Sequence, residues 1–390
     1  MATSTSFQKR VKAKVRQIPG TKPSLYNNQL LISTGIPSLD TVLGGGVAVG
    51  TLLLVEEDLY GTYTQVMVKY FAAEAVTSGQ SLCVVSADVD PNKIVQELPA
   101  PVVDDVPTSQ AQQPQLSKGS GDADEKLAIA WRYQHQPKVQ SAPVTSRFGH
   151  YYDLTKIMDE SKISSAQIQC LSYKDLRILE ETKPNSCTST TNPCYASLLQ
   201  RIQKQISEGN YGTAVKNDHR NVLRIVVQGL GSGMWGENGG AHYRTEERDA
   251  SLHRLLLALR ATLRTAFAVC LITVPMYLFQ DPAFVWRAER LCDTVLRLES
   301  FAGSDKEKNP AFRDYSGLLH LVQLPCLNEL LPHMPDTLDL AFRLRRKKFT
   351  IEKLHMPPEL SETVSRDQED PVPSLRPTAG CGTGSSKLDF

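Results

Sequence analysis

STGIPSLDTVLGGGVAVGTLLLVEEDLYGTYT, residues 33–64, has the order of a phosphate-binding strand, loop and helix without the groups that bind phosphate. Gly44, Gly45, Gly46 and Gly50 make a flexible turn into the apolar run at 52–55, which reads as a buried strand. A loop follows, then a helix through VMVKYFAAEAV. A working phosphate loop closes glycine-rich backbone N–H groups on the phosphates. It also sends a lysine to the terminal ones and holds Mg²⁺ with a Ser or Thr hydroxyl. Here the loop is EEDLYGTYT. Glu56, Glu57 and Asp58 stand where phosphates would lie, and like charges a few Å apart repel. The lysine is missing.

Length and composition bound the rest. The 390 residues suit one large α/β domain with insertions and tails. Lys and Arg number 43 against 42 Asp and Glu, so the net charge of +1 supplies no global attraction to nucleic acid or membrane. Any such site is a local patch. The eight cysteines include no C-x-x-C pair, and Cys83 and Cys270 sit inside apolar runs. That predicts reduced, buried thiols in an intracellular protein rather than a disulfide framework or a zinc site. The longest apolar stretch, AFAVCLITVPMYLF at 266–279, falls short of the roughly 20 residues that span a bilayer. It reads as a core strand, and no membrane partner is expected. Residues 1–25 carry Lys9, Arg10, Lys12, Lys14, Arg16 and Lys22 with no acid and no apolar signal core, and read as a disordered basic arm.

Along the chain, strand and helix alternate. A strand at 51–56 precedes a helix at 63–78, ended by Gly79, and a second strand at 81–87. Asp90 is placed to cap a helix opened by Pro91. Residues 100–126, rich in Pro, Ser, Gln and Asp, predict a flexible insertion, and the pattern loosens into a second one over 155–219. VLRIVVQGLG at 222–231 is the near-continuous apolar run of a strand buried in a parallel sheet. A helix over 247–265 puts Leu252, Leu255, Leu256, Leu259 and Leu263 on one face and leads into the strand at 266–274. TVLRLESF, GLLHLVQLP and FRLRRKKFTIEKL read as further strands, and 361–390 as a polar mobile tail. The expected architecture is a single α/β domain over 26–360, with a mostly parallel twisted sheet and antiparallel C-terminal edge strands.

TGIPSLDTVLGGGVAVG resembles the approach to the phosphate loop in the RecA/KaiC family of ATPases. The resemblance implies a RecA-like fold with a degenerate P-loop. Carried over without gaps from Gly50, the family's loop glycines fall on Glu57 and Thr62, its lysine on Tyr63 and its Mg²⁺ hydroxyl on Thr64. Anchoring on Gly61 instead puts Thr62 at the lysine position, and the nearest lysine, Lys69, lies about two helical turns on. The family's metal-orienting aspartate falls on Gln228, which is neutral, and its paired glutamates fall on Asp88 and Val89. The implied site is catalytically silent and takes no cofactor. An ordinary tight turn is the plainer reading of the glycines alone.

The blocks NNQLLISTGIPSLD, VEEDLYGTYTQVMVKYFAAEAV, AWRYQHQP, SRFGHYYD, NPAFRDYSGLLHL and FRLRRKKFTIEKLHMPPELSETVSR, in this order, are similar to the fourth-subunit family of the Elongator complex. They cover most of 20–100, 127–153 and 220–366. The resemblance implies a non-catalytic member of the hetero-hexameric ring of subunits 4, 5 and 6, in cytoplasm and nucleus. That ring accompanies the catalytic subcomplex in carboxymethyl-type modification of the wobble uridine, U34, and is associated with tRNA binding. A stand-alone ATPase and a scaffold without RNA contact are the competing readings.

Four other features carry chemistry. RLRRKK at 343–348 offers Arg343, Arg345, Arg346, Lys347 and Lys348 either to RNA phosphates or as the solvated guard of an edge strand. Arg254, Arg260 and Arg264 face a neighbour or form a solvated stripe, the stripe being favoured. WRYQHQ and SRFGHYYD place Arg132, His135, Arg147 and His150 among aromatics, as an interface or packed insertion in preference to a base-stacking surface. The histidines lack metal spacing, so no metal is expected.

Overall fold

The structure, a computed structural model, describes residues 18–24, 27–102, 148–176, 192–215, 220–236 and 250–355. Most of the expected basic arm, the insertion beyond Val102, the aromatic run at 131–136 and the polar tail lie outside the described residues.

Strands β1 (Thr21–Pro23), β2 (Leu30–Ile32) and β3 (Val47–Ala48) form a small antiparallel sheet, with helix α1 (Pro37–Val42) between the last two. Strand β4 (Leu52–Glu56) leads into α2 (Thr62–Thr77), and β5 (Ser81–Ser86) into α3 (Pro91–Gln96). Asp90 caps α3, its carboxylate accepting the Asn92 N–H at 2.9 Å. β6 (Pro99–Pro101) pairs antiparallel with β7 (Tyr152–Ile157). Then come α4 (Glu160–Ser165), β8 (Ile168–Ser172), α5 (Pro193–Glu208), β9 (Leu223–Gln228), α6 (Ser251–Arg264) and β10 (Ala268–Val274). The last elements are α7 (Pro282–Leu291), β11 (Thr294–Ser300), α8 (Asp305–Lys308), β12 (Gly317–Gln323), β13 (Leu340–Leu344) and β14 (Phe349–Lys353).

Among the described residues, nine strands make the main sheet, in the order β14-β13-β12-β11-β4-β10-β9-β5-β8. From β11 to β8 every pairing is parallel, while β12, β13 and β14 run antiparallel to their neighbours. This large, mostly parallel sheet fits a RecA-like fold. β4 lies inside the sheet, where both faces are covered, so all five of its residues are buried. Side chains alternate. Leu53 and Val55 join the layer of α2 with Met67 and Phe71, and Leu52 and Leu54 join the layer of α6 and α7 with Leu255, Leu259 and Phe284.

Two expectations fail here. The stretch 155–219 does not read as ordered, yet its described parts supply the end of β7, α4, β8 and α5, and β8 is an edge strand of the main sheet. An edge strand is half covered, so β8 has no apolar run to betray it. α5 hides Tyr195, Leu198, Ile202 and Ile206 as a single stripe in an otherwise polar sequence. FRLRRKKFTIEKL is a hairpin rather than one strand. Arg345 and Lys348 exchange backbone hydrogen bonds of 2.9 and 3.3 Å, which turns the chain at Arg346 and Lys347. The alternation of Phe342, Leu344, Phe349 and Ile351 runs across a turn that contains no Gly, Pro or Asn.

Behind the sheet lies a buried acid. Asp40 accepts from the Ser33 hydroxyl at 2.5 Å and from the Thr34 N–H and hydroxyl at 2.7 Å each, and burial pushes its carboxyl from 3.8 up to about 6. The folded chain therefore keeps a proton that the unfolded chain releases. The resulting stabilisation is complete below the unfolded value and lost as pH rises through about 6. Between pH 4 and 7 the wild type should lose about 2.4 kcal/mol more stability than Asp40→Asn, at about 1.4 kcal/mol per unit of pKa. Denaturant unfolding of both chains at the two pH values measures the difference.

Candidate functional site

The loop at 57–61 joins β4 to α2, and its chemistry is set by Asp58. This carboxylate is buried, with Oδ2 accepting the Thr62 N–H at 3.1 Å and Oδ1 accepting the Thr64 N–H at 3.1 Å and the Thr64 hydroxyl at 2.9 Å. The first N–H groups of a helix have no partner within the helix and attract anions. Here the chain's own carboxylate takes them. Gly61 stands at the N-cap with φ +65°, a conformation that favours glycine, and nothing crowds the space a Cβ would fill.

Strand alternation separates the acids. Glu56 turns to the opposite face, where it accepts from Arg297 Nε at 2.6 Å, and Arg297 also pairs with Glu289 at 2.9 Å. So two carboxylates, not three, lie at the loop, because successive side chains leave a strand on opposite faces. Glu57 accepts the Thr273 hydroxyl at 2.6 Å. Burial, with Asp88 and Asp58 alongside, holds its carboxyl above the usual range against the pull of that hydrogen bond. Asp88 accepts the Ser232 hydroxyl at 2.6 Å. Its Oδ2 lies against Gly229, where a Cβ would come within 2.1 Å. Gln228, only 7% exposed at the end of β9, has a buried Oε1 without a hydrogen-bond donor among the described residues.

Not every expected position gathers here. Gly50, at φ +86°, opens β4 from the other end, where its carbonyl accepts from Arg264 Nη1 at 2.8 Å, so a whole strand separates it from the loop. Thr62 is exposed. Tyr63 leaves the loop and packs on Phe342 with ring centroids 4.7 Å apart. Lys69 is held by Glu97 at 2.7 Å. Thr273 and Ser232 were not among the expected positions. The signal for Thr273 is a lone hydroxyl inside the apolar run AVCLITV.

The basic run divides too. Arg343 pairs with Asp314 at 2.7 Å. Arg345, Arg346, Lys347 and Lys348 are exposed on the hairpin turn, which docks on β7 through the Leu154 N–H to the Lys347 carbonyl at 2.9 Å. Arg345 and Arg346 meet Lys69 and Lys156 around a groove of about 510 Å³ with Leu154 and Leu344 in its wall. On α6, Arg260 and Arg264 both turn onto Asp293, at 2.9 and 2.5 Å, so neither forms a solvated stripe. The His150 backbone N–H donates to Glu74 at 3.1 Å and the Tyr152 hydroxyl at 2.7 Å, fastening that segment to α2. Among the described residues no group of three or more His, Cys, Asp or Glu could hold a metal ion, and no helix is long and apolar enough to cross a membrane.

The chain matches the PAXNEB protein family over residues 14–390. It is 46% identical over 402 residues to "Elongator complex protein 4" of Xenopus laevis, covering 100% of this chain and 96% of the relative. With the proteins of the same name from Danio rerio and Homo sapiens it shares 46% over 398 residues and 44% over 408. These alignments cover 100% and 99% of this chain, and 97% and 94% of the relatives. A likeness of this length, over the whole α/β sheet and its loops, assigns the chain to the PAXNEB family and to the family of Elongator complex protein 4.

Proposed function

We propose that this chain is a non-catalytic subunit of the Elongator complex. It assembles with subunits 5 and 6 into a hetero-hexameric ring that binds tRNA and supports carboxymethyl-type modification of the wobble uridine U34. Full-length likeness to Elongator complex protein 4 supports membership of the complex. The observation that carries the non-catalytic part is Asp58, whose carboxylate takes the helix N–H groups that would otherwise meet a phosphate. No lysine replaces the lost charge, and the neutral Gln228 stands where an anionic residue would orient Mg²⁺. The catalytic subcomplex performs the base chemistry, in cytoplasm and nucleus, and the hairpin turn at 345–348 contributes cations to the RNA face.

Native mass measurement after co-expression with subunits 5 and 6 is expected to show a six-chain assembly, and filter binding is expected to show that it retains tRNA. The isolated chain should hydrolyse no ATP. A monodisperse monomer indifferent to both partners would refute the ring, and robust hydrolysis by the isolated chain would refute the silent site. An assembly that forms but leaves tRNA unbound would point to a scaffold.

A further inference from the structure

The silent loop has the polarity of a cation site. Glu57 and Asp88 form no ion pair among the described residues, and each lies close enough to the other to disfavour ionisation of Glu57. Asp58 spends its carboxylate on the N–H groups and hydroxyl at the start of α2, so it supplies no cation to the other two acids. The decisive atom is Oε1 of Gln228. Val227 pairs with Ile272 in the sheet, so Gln228 stands level with Thr273. Alternation puts both side chains on the α2 face, where Val226 and Leu271 also point and where Thr273 donates to Glu57. A buried acceptor without a donor among the described residues is costly, and this one lies on the sheet face that carries Glu57.

We infer that this cleft receives the guanidinium of an arginine from a neighbouring protein subunit, in the place where a phosphate would otherwise bind. A planar guanidinium with five N–H donors can reach acceptors on Glu57, Asp88 and Gln228 together, whereas an ammonium acts as a compact point charge. The surroundings point to a protein partner. Leu59 and Tyr60 after β4, Met234 after β9 and Tyr277 after β10 are large, exposed side chains. All four lie on loops that leave the same end of adjacent parallel strands. An apolar rim around a desolvated charge is how a protein interface is built. The inference rests on the reading of this chain as a ring subunit and adds what the silent loop contributes to the ring.

The test compares the full wild-type chain with Glu57→Gln/Asp88→Asn and with Gln228→Leu, each co-expressed with subunits 5 and 6 and also purified alone. A cation receiver predicts opposite signs. Both variants should be at least as heat-stable as the wild type when alone, because a repulsion or an orphan acceptor has been removed. Both should assemble at least tenfold more weakly, and the double variant should lose part of the salt dependence of assembly. Carbodiimide labelling should modify Glu57 and Asp88 in the isolated wild type and spare them in the assembly. Unchanged assembly of both variants, labelling that assembly does not reduce, or variants that melt earlier alone would overturn the inference while leaving the ring reading in place. A wild type that fails to assemble at all removes both.

Discussion

Replacing Asp58 with alanine is expected to destabilise the folded chain by about 2–4 kcal/mol and to open the start of α2 to inorganic phosphate. The carboxylate is buried and meets three donors, from Thr62 and Thr64, so its removal leaves those donors facing a cavity. Losing a side chain that accepts the first N–H groups of a helix costs about 1 kcal/mol, as for a capping residue, and the helix dipole and hydrogen bonds to a charged acceptor add to it. Phosphate should then stabilise the variant by roughly 1.4 kcal/mol at ten times its dissociation constant, while the wild type gains nothing beyond an ionic-strength control. Equal stabilisation of both chains, or an undamaged variant, would show that Asp58 does not occupy an anion site. Adding a lysine by Tyr63→Lys is not expected to create an ATPase. Tyr63 packs on Phe342 away from the loop, Asp58 still fills the helix start, and the defects act together.

The second large effect concerns RNA. Neutralising Arg345, Arg346 and Lys348 together should weaken tRNA binding by the assembled ring while leaving the assembly intact. Each lost phosphate contact flattens the slope of log affinity against log salt by up to roughly 0.7–0.9, worth about tenfold near 0.1 M salt. Three contacts therefore amount to roughly 10²–10³. All three side chains are accessible. They sit on an exposed turn, with Arg345 and Arg346 beside Lys69 and Lys156 around one groove, whereas Arg343 is already paired with Asp314. All tRNAs should be affected alike, since phosphate contacts position without reading bases. Filter binding at several salt concentrations, with a sizing run on the same variant, separates this from a plain solvated turn, which predicts unchanged affinity and slope.

Much of the fold is legible in the sequence wherever burial is complete. The strands at 52–56, 223–228 and 268–274 lie inside the sheet with both faces covered, so their residues must be apolar almost without interruption. α6 shows its leucine stripe for the same reason, and α3 its Asp-Pro start. β8 and α5 escape notice because an edge strand and a one-sided helix need few apolar residues, and the polar majority resembles a loop. Arg224 escapes differently. It sits fully buried in β9 inside VLRIVV, its Nε donating to Gln80 at 2.6 Å and its Nη1 to the Ser33 carbonyl at 2.7 Å. Those partners lie far away along the chain.

By itself the sequence determined the parallel core, the loop between its first long strand and helix, and the lack of a lysine there. Each is a matter of residue type or of a short-range pattern. Only the tertiary structure decided which of Glu56, Glu57 and Asp58 meets the helix start, and that Gly50 is a strand's length from it. It also decided that Arg346 and Lys347 turn a hairpin and that Gln228 Oε1 is left without a donor among the described residues. A carboxylate's role depends on the face of the strand it leaves and on the donors that folding brings within 3 Å or so of it. Those donors belong to other elements of the chain, and one-dimensional spacing does not encode their approach.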